Sequence, residues 1–143
     1  MGEVKILLSL INALDNELIN AQLMQPEQAR RVDVEAVVDT GARLLALPTP
    51  IAGKLGLRNA DRALVTLGDG SIHEMPIQGY VLVRVQVGNV VREVVTSCLV
   101  GPAESPVSLG QIPLEIMDLI VDCPRQRVTV SDPSTPMPHM TLY

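Results

Sequence analysis

The sequence has no Phe or Trp and only two Tyr, so its core has to be built without large aromatic side chains. Val, Leu and Ile together supply 47 of the 143 residues instead. Because 19 of these are Val, whose branched side chain packs well on a pleated surface, the composition favours strands over helices. At this length the chain is expected to form one domain.

Positive charge is also scarce. The chain has 11 basic and 16 acidic residues, a net charge of −5, and no basic cluster. Nucleic acid and a membrane surface are therefore not expected partners, because both need a positive footprint on the protein. The apolar run at residues 6–14 is too short to span a bilayer and lacks the positive start and small-residue cleavage site of a signal peptide. A cytoplasmic location is the expectation.

Histidine and cysteine are too few for several common catalytic centres. The chain has His73 and His139, but no Gly-x-Ser-x-Gly elbow, no His-Glu-x-x-His motif and no phosphate-binding loop. The two histidines provide too few ligands for a zinc site. Neither a metal nor a cofactor is expected. Cys98 and Cys123 lack a Cys-x-x-Cys spacing and are expected to be reduced thiols.

Hydrophobic alternation and the positions of Gly and Pro predict a mostly β domain with short helices. Residues 17–23 fit either a hairpin strand or a short helix. Gly-Asp-Gly-Ser at residues 68–71 predicts a tight hairpin turn. We expect a domain at residues 1–130 and a Pro-rich tail at residues 131–143. Strands are predicted at residues 4–11, 31–38, 64–67, 72–77, 81–87, 90–100, 119–121 and 126–130, and helices at residues 49–56 and 113–117. Residues 107–109 form a short apolar segment that ends at Gly110.

The candidate for chemistry is the segment Val-Val-Asp-Thr-Gly-Ala at residues 37–42. A carboxylate that directly follows a buried apolar strand costs several kcal/mol unless it is hydrogen-bonded. Thr40 and Gly41 place Asp39 in a turn, where backbone amides can reach its carboxylate. The same pattern also occurs in ordinary turns, so Asp39 could instead do no more than satisfy its own turn.

Several segments, taken in order, resemble the retroviral-like aspartic proteases, and most closely their single-lobed prokaryotic members. The resemblance covers residues 2–130. It implies a closed, mostly antiparallel acid-protease (retropepsin-like) barrel with one or two short helices, active as a homodimer on protein or peptide substrates. The segments are residues 37–42, Leu-Pro at 47–48, Lys-Leu-Gly-Leu at 54–57, the hairpin at 68–71, and Leu-Gly-Gln-Ile-Pro-Leu-Glu at 109–115 continuing to Asp-Leu-Ile-Val-Asp at 118–122.

The resemblance assigns a role to each residue of the motif. Asp39 matches the catalytic aspartate, and Ala42 completes the loop that supports it. Thr40 matches the residue whose hydroxyl reaches across the dimer and braces the opposite loop. Gly41 matches the glycine that lets the substrate backbone lie close.

Two further segments match supporting parts of the family. The apolar-Gly pair that supports the catalytic loop from behind corresponds to Leu109 and Gly110. The flap tip, which closes over substrate, corresponds to four consecutive residues: Gly68, Asp69, Gly70 and Ser71.

The chain also departs from the viral pattern. In viral members an acid follows the Ala and pairs with an Arg after the second glycine, whereas this chain has Arg43 and Gln111 at those positions. The outer substrate subsites must therefore be built differently.

A single Asp-Thr-Gly occurs in the chain, so two chains must each supply one Asp39. The resemblance thus implies an aspartic endopeptidase with a dyad across a homodimer. Two alternatives remain open at this point. One is a dimeric module of the same fold that binds peptides without useful turnover, and the other is a structural β domain.

Overall fold

The computed structural model describes residues 2–142. In that range the chain forms nine strands, three α-helices and a short 3-10 helix at Pro26–Gln28. The strands are β1 (Lys5–Asn12), β2 (Arg31–Val38), β3 (Leu45–Pro48), β4 (Arg58–Thr66), β5 (Ile72–Val87), β6 (Val90–Gly101), β7 (Ser108–Leu109), β8 (Leu119–Asp122) and β9 (Arg127–Val130). The helices are α1 (Ala13–Asn20), α2 (Thr49–Leu55) and α3 (Gln111–Ile116).

Six strands close into a barrel in the order β1-β2-β7-β3-β6-β5, with β5 pairing back onto β1. The 16-residue β5 makes this closure possible, because residues 72–79 pair with β4 whereas residues 81–84 pair with β1. The β2–β7 and β3–β6 pairs are parallel, and the remaining described pairs are antiparallel. The expected mostly β, closed and mostly antiparallel barrel is therefore confirmed.

The barrel interior is filled by Leu and Val side chains. Alternate residues of each strand point inward, as the strand period of two requires. Leu8 and Leu10 of β1, Leu45 and Leu47 of β3 and Val83 of β5 have no exposed surface. The β-branched side chains of Val and the γ-branched side chains of Leu thus fill the core in place of large aromatic ones.

The structure resolves one open alternative and corrects three strand predictions. Residues 13–20 form helix α1, which begins where the Asn12 side chain accepts a hydrogen bond from the backbone N–H of Asp15. The strands predicted separately at residues 72–77 and 81–87 are one continuous strand, and β4 begins six residues before the predicted start at Leu64. Strand β3 was not predicted at all, because its four residues carry no usable alternation.

Residues 131–142 lie against a buried charge of the barrel. Arg92 occupies an inward position of β6, is 2% exposed, and donates to the carbonyl oxygen of Met137 at 3.3 Å. The Asp118 carboxylate accepts hydrogen bonds from the Ser131 hydroxyl at 2.6 Å and from the His139 backbone N–H at 2.9 Å. These hydrogen bonds lower the pKa of Asp118. The domain boundary at residue 130 stays a prediction.

No helix in residues 2–142 combines the length and the apolar character needed to cross a membrane.

Candidate active site

Asp39 lies directly after β2, and backbone hydrogen bonds hold the end of that strand on both sides. The N–H of Val38 donates to the carbonyl oxygen of Val4 at 2.8 Å, and the N–H of Val37 donates to that of Val107 at 2.9 Å. The N–H of Asp39 itself donates to the carbonyl oxygen of Leu109 at 2.9 Å. The position of the aspartate is therefore set by two other segments of the chain, one at Val4 and one at residues 107–109.

The Asp39 side chain is exposed to solvent at the start of a tight turn. The turn closes where the N–H of Ala42 donates to the Asp39 carbonyl oxygen at 3.2 Å. Asp39 Oδ1 accepts a hydrogen bond from the N–H of Gly41 at 3.0 Å. Within residues 2–142 no hydrogen bond involves Oδ2. One carboxylate oxygen is thus oriented by the turn, while the other is available to water, substrate or a second chain.

Residues 109–112 support the Asp39 loop from behind. Leu109 is fully buried and pairs with Val38 in the parallel β2–β7 ladder. Beyond it, the N–H of Gln111 donates to the carbonyl oxygen of Ala42 at 2.8 Å, and the N–H of Ile112 donates to that of Arg43 at 3.0 Å. The start of α3 therefore fixes the end of the loop at residues 42–43. The hydrogen bond from the Asp39 N–H to Leu109 fixes its beginning.

Gly110 packs tightly against the backbone of residues 43–44, at the end of the Asp39 loop. A Cβ atom at this position would lie 2.4 Å from the backbone oxygen of Leu44 and 2.7 Å from the backbone carbon of Arg43. Since both atoms belong to the main chain, no side-chain rotation can relieve the contact. Only a glycine lets α3 and the Asp39 loop pack this tightly.

We therefore expect Gly110→Ala to separate the loop from its support. The free energy of unfolding should fall by at least about 1–3 kcal/mol, the usual cost of overpacking. Urea unfolding at a fixed protein concentration measures this change. Gly53→Ala in α2 is the matched control, because its Cβ would meet nothing within 4 Å and should stabilise the helix by about 0.5–1 kcal/mol. Equal unfolding of Gly110→Ala and wild type would contradict the tight packing.

The hairpin between β4 and β5 carries the four residues matched to the flap tip. The N–H of Gly70 donates to the carbonyl oxygen of Leu67 at 2.9 Å, and Gly70 has a φ of 85°, a conformation that glycine adopts without strain. Asp69 Oδ1 accepts from the Ser71 N–H at 2.9 Å and from its hydroxyl at 2.5 Å. These bonds lower the pKa of Asp69. Asp69 therefore stabilises the turn, in agreement with its expected role there.

The structure brings together six of the ten predicted site residues. Asp39, Thr40, Gly41 and Ala42 form the loop, and Leu109 and Gly110 lie against it. The hairpin residues 68–71 form a separate group, since no hydrogen bond or ion pair in the described part of the chain links them to residues 39–42. The hairpin projects from the barrel on β4, which within residues 2–142 pairs with β5 alone.

Three exposed isoleucines on the elements that follow Gly110 were not found from the sequence. Ile112, Ile116 and Ile120, hereafter the isoleucine stripe, are each 41–46% exposed. Ile112 and Ile116 are one helical turn apart on α3, and Ile120 lies on β8, which packs against α3. The four-residue spacing was visible in the sequence, but which side of α3 the barrel covers was not.

The comparisons with known proteins agree with this geometry. The family model of the aspartyl proteases matches residues 28–112, which include the Asp39 loop, the hairpin and Gly110. Among solved structures, the chain is similar to the crystal structure of the retroviral protease-like domain of Ddi1 from Leishmania major. The TM-score is 0.55 at 16% identity, with 92% of this chain and 90% of that chain covered. That likeness shows a retropepsin-like fold. The comparison with curated proteins gave no match.

Proposed function

Because the chain belongs to the aspartyl protease family, we propose that it is an endopeptidase that cleaves extended polypeptides with Asp39 of two identical chains. The observation that carries the proposal is the Asp39 carboxylate itself. It is exposed at the end of a barrel strand, its Oδ1 is oriented by Gly41, and its loop is held by residues 109–112. The chain has one Asp-Thr-Gly, so a second carboxylate must come from a second copy.

The proposed mechanism follows from placing two carboxylates together. Two such groups about 3 Å apart cannot both ionise, so the pair shares one proton. The ionised Asp39 takes a proton from a water molecule between the two side chains, and that water attacks the peptide carbonyl carbon. The protonated Asp39 donates its proton to the carbonyl oxygen. Collapse of the tetrahedral intermediate, with proton transfer to the amide nitrogen, releases the two peptide products.

The isoleucine stripe supports the homodimer. Its members lie on α3 and β8, and α3 begins immediately behind the Asp39 loop. Pairing of this surface with its copy across a twofold axis would remove the exposed apolar side chains from water. The Thr40 side chain is exposed and forms no hydrogen bond within residues 2–142. Its hydroxyl is therefore available to brace the loop of the second chain.

The β4–β5 hairpin is the proposed substrate cover. It extends from the barrel beyond the closed ring of strands, and its exposed apolar side chains include Leu64 and Ile72. An extended peptide held under such a hairpin would be shielded from bulk water while its carbonyl faces the dyad.

Cleavage of an unbiased peptide library at mildly acidic to neutral pH tests the function. We expect cleavage whose specific activity falls as the protein is diluted, because a single chain carries half of the dyad. Parallel sedimentation gives the dimer fraction at each concentration. Specific activity that stays constant from fully dimeric to fully monomeric protein would exclude the shared dyad.

We expect Ile116→Arg to weaken the dimer. A charged side chain in the middle of the isoleucine stripe would have to be buried without a partner, which at an interface raises the dissociation constant by about 30-fold or more. Sedimentation velocity measures this change. Leu14→Arg is the control, because Leu14 is also exposed but lies on α1, at the opposite end of β1 from the Asp39 loop. Dimers of equal affinity in wild type and Ile116→Arg would show that the interface lies elsewhere.

A dimeric peptide-binding module of the same fold is the second candidate. The observation that favours it is the departure at Arg43 and Gln111, where the acid–arginine pair of viral members is missing. A folded dimer that binds library peptides without cleaving them would support this candidate over the protease.

A cytoplasmic location belongs to the same proposal. Cys98 and Cys123 are both free thiols, the first buried and the second exposed. Burial raises the pKa of the Cys98 thiol to about 12. Thiols persist in reducing compartments, which supports the assignment.

A further inference from the structure

The charges of the chain are largely paired, with one exception near the candidate active site. Of the 11 basic side chains, eight form an ion pair within residues 2–142. The three without one in that range are Arg43, Lys54 and Arg58. Arg43 is exposed and belongs to the loop that carries Asp39. In a chain with a net charge of −5, a cation left without a carboxylate partner beside the catalytic loop needs an explanation.

The neighbours of Arg43 do not neutralise it. Gln111 of α3 is uncharged. Its backbone N–H donates to the carbonyl oxygen of Ala42, the residue before Arg43, and its side-chain amide donates to Glu115 Oε1 at 2.9 Å. Glu115 is thereby engaged along its own helix and makes no ion pair with Arg43. The backbone of Arg43 is nevertheless fixed, because its carbonyl oxygen accepts the N–H of Ile112 at 3.0 Å. The backbone that carries the cation is thus fixed, while the guanidinium has no ion pair within residues 2–142.

The distance from Arg43 to the reacting bond can be bounded from the turn geometry. The hydrogen bond from the Ala42 N–H to the Asp39 carbonyl makes residues 39–42 a β-turn, whose ends lie within about 7 Å of each other. Arg43 lies one residue, about 3.8 Å, farther along the chain. An extended peptide advances about 3.4 Å per residue. The Cα atom of Arg43 therefore lies at most about 11 Å from that of Asp39. This distance corresponds to substrate residues up to about three positions from the scissile bond.

We infer that Arg43 is a specificity-determining residue that selects substrates with an acidic side chain about two or three residues from the scissile bond. The inference rests on the proposed protease function and adds the substrate class. A carboxylate of the substrate supplies the partner that the chain itself does not. Because a twofold dimer presents one Arg43 on each side of the dyad, acidic residues are favoured on both sides of the cleaved bond.

The test compares peptides that differ only in charge. The best-cleaved library sequence is synthesised with Glu, Gln or Lys two or three residues from the scissile bond, on either side, and kcat/KM is measured. For wild type we expect Glu over Gln by about two- to fivefold per site, the range of an exposed ion pair, falling in 1 M salt. Arg43→Gln should cleave the Glu and Gln peptides equally, and Arg43→Glu should prefer Lys.

Arg58→Gln is the matched control. Arg58 is the other unpaired arginine within residues 2–142, but it lines a groove with Ala13 and Leu14 of α1, at the end of the barrel away from Asp39. This variant should keep the wild-type preference for Glu. Loss of the preference in Arg58→Gln to the same extent as in Arg43→Gln would mean that net charge, not position, determines it.

A binding measurement separates failure of this inference from failure of the protease proposal. Fluorescence anisotropy of the labelled Glu and Gln peptides is measured with Asp39→Asn, alone and combined with Arg43→Gln. If wild type cleaves nothing, the protease proposal fails, and the Glu and Gln peptides are then built on the library sequence that Asp39→Asn binds most tightly. Tighter binding of the Glu peptide that disappears with Arg43→Gln still supports the role of Arg43. Equal affinity for the Glu and Gln peptides, or binding of neither, overturns it.

Discussion

Asp39→Asn is expected to lower kcat/KM for peptide cleavage by at least about 10³-fold, while the protein stays folded and dimeric. An asparagine can accept a hydrogen bond from the Gly41 N–H as Asp39 Oδ1 does, so the turn should survive. It can neither ionise nor share a proton, so the attacking water loses its base. Library cleavage by both proteins, with sedimentation of each, gives the comparison. Equal cleavage by wild type and Asp39→Asn would trace the activity to a contaminant.

Mixing the two proteins extends this prediction to the dyad. If subunits exchange freely, an equal mixture contains about one quarter wild-type dimers, and specific activity should follow the square of the wild-type fraction. A linear dependence on that fraction would mean that each chain acts alone. The experiment therefore distinguishes a shared dyad from a single catalytic carboxylate in each chain.

Asp15→Ala is expected to destabilise the fold by about 2–4 kcal/mol. The Asp15 side chain is 3% exposed and binds Arg30 with two side-chain bonds, Nε to Oδ2 at 2.8 Å and a terminal guanidinium nitrogen to Oδ1 at 2.9 Å. The Arg30 backbone N–H also donates to Oδ2 at 2.9 Å. Breaking a buried pair typically costs about 3–5 kcal/mol. The lower estimate reflects Arg30, which is 46% exposed and can regain water.

Urea unfolding at constant protein concentration measures this effect, with Asp33→Ala as the control. Asp33 also pairs with an arginine, Arg31, at 3.5 Å, but both side chains are more than half exposed. Removing such a surface pair should cost less than about 1 kcal/mol. If Asp15→Ala cost no more than Asp33→Ala, the buried pair would not stabilise the attachment of α1.

The contribution of Asp15 should also depend on pH. The Arg30 side chain holds the pKa of Asp15 below its ordinary value. A lowered folded-state pKa stabilises the native state fully above the unfolded pKa of about 3.9, and the effect is lost as the pH falls through the folded-state pKa. The stability difference between wild type and Asp15→Ala should therefore be constant from neutral pH to about pH 5 and narrow in stronger acid.

Local features of the candidate site were predictable from neighbouring residues. The strand predicted at residues 31–38 is β2, with the same bounds, because it alternates at its start and ends in apolar residues before Asp39. The turn at residues 39–42 and the hairpin turn at residues 68–71 follow from Gly and Asp, whose preferences act over two or three residues.

Contacts between distant segments were not predictable in the same way. Residues 109–112 lie about 70 positions from Asp39 along the chain, and only the resemblance to the aspartic proteases linked the two. The physical reason for Gly110, a main-chain contact with Leu44, exists only once β7 lies between β2 and β3. A glycine required by packing has the same local signature as a glycine required by a turn.

The burial of two charged residues, Asp15 and Arg92, was also not predictable from their neighbours in the sequence. In the sequence, Asp15 is a polar residue that ends an apolar run. It is buried because Arg30, the residue before β2, binds its carboxylate. Arg92 follows the inward alternation of Val90 and Val94 in β6 and would be rejected there on polarity alone. It is tolerated because carbonyl oxygens of the C-terminal segments accept its hydrogen bonds.

The sequence by itself determined the class of fold and singled out Asp39 as the candidate for the chemistry. Val-rich alternation favours strands, and the order of the segments around Asp-Thr-Gly, more than the tripeptide alone, resembles the aspartic proteases. The tertiary structure decided which strands close the barrel, what supports the Asp39 loop and which isoleucines stay exposed. It also left the Arg43 side chain without an ion-pair partner within residues 2–142. The division has one physical reason. Backbone preference and alternation act between near neighbours, whereas closure, burial and charge pairing depend on segments that meet only in the folded chain.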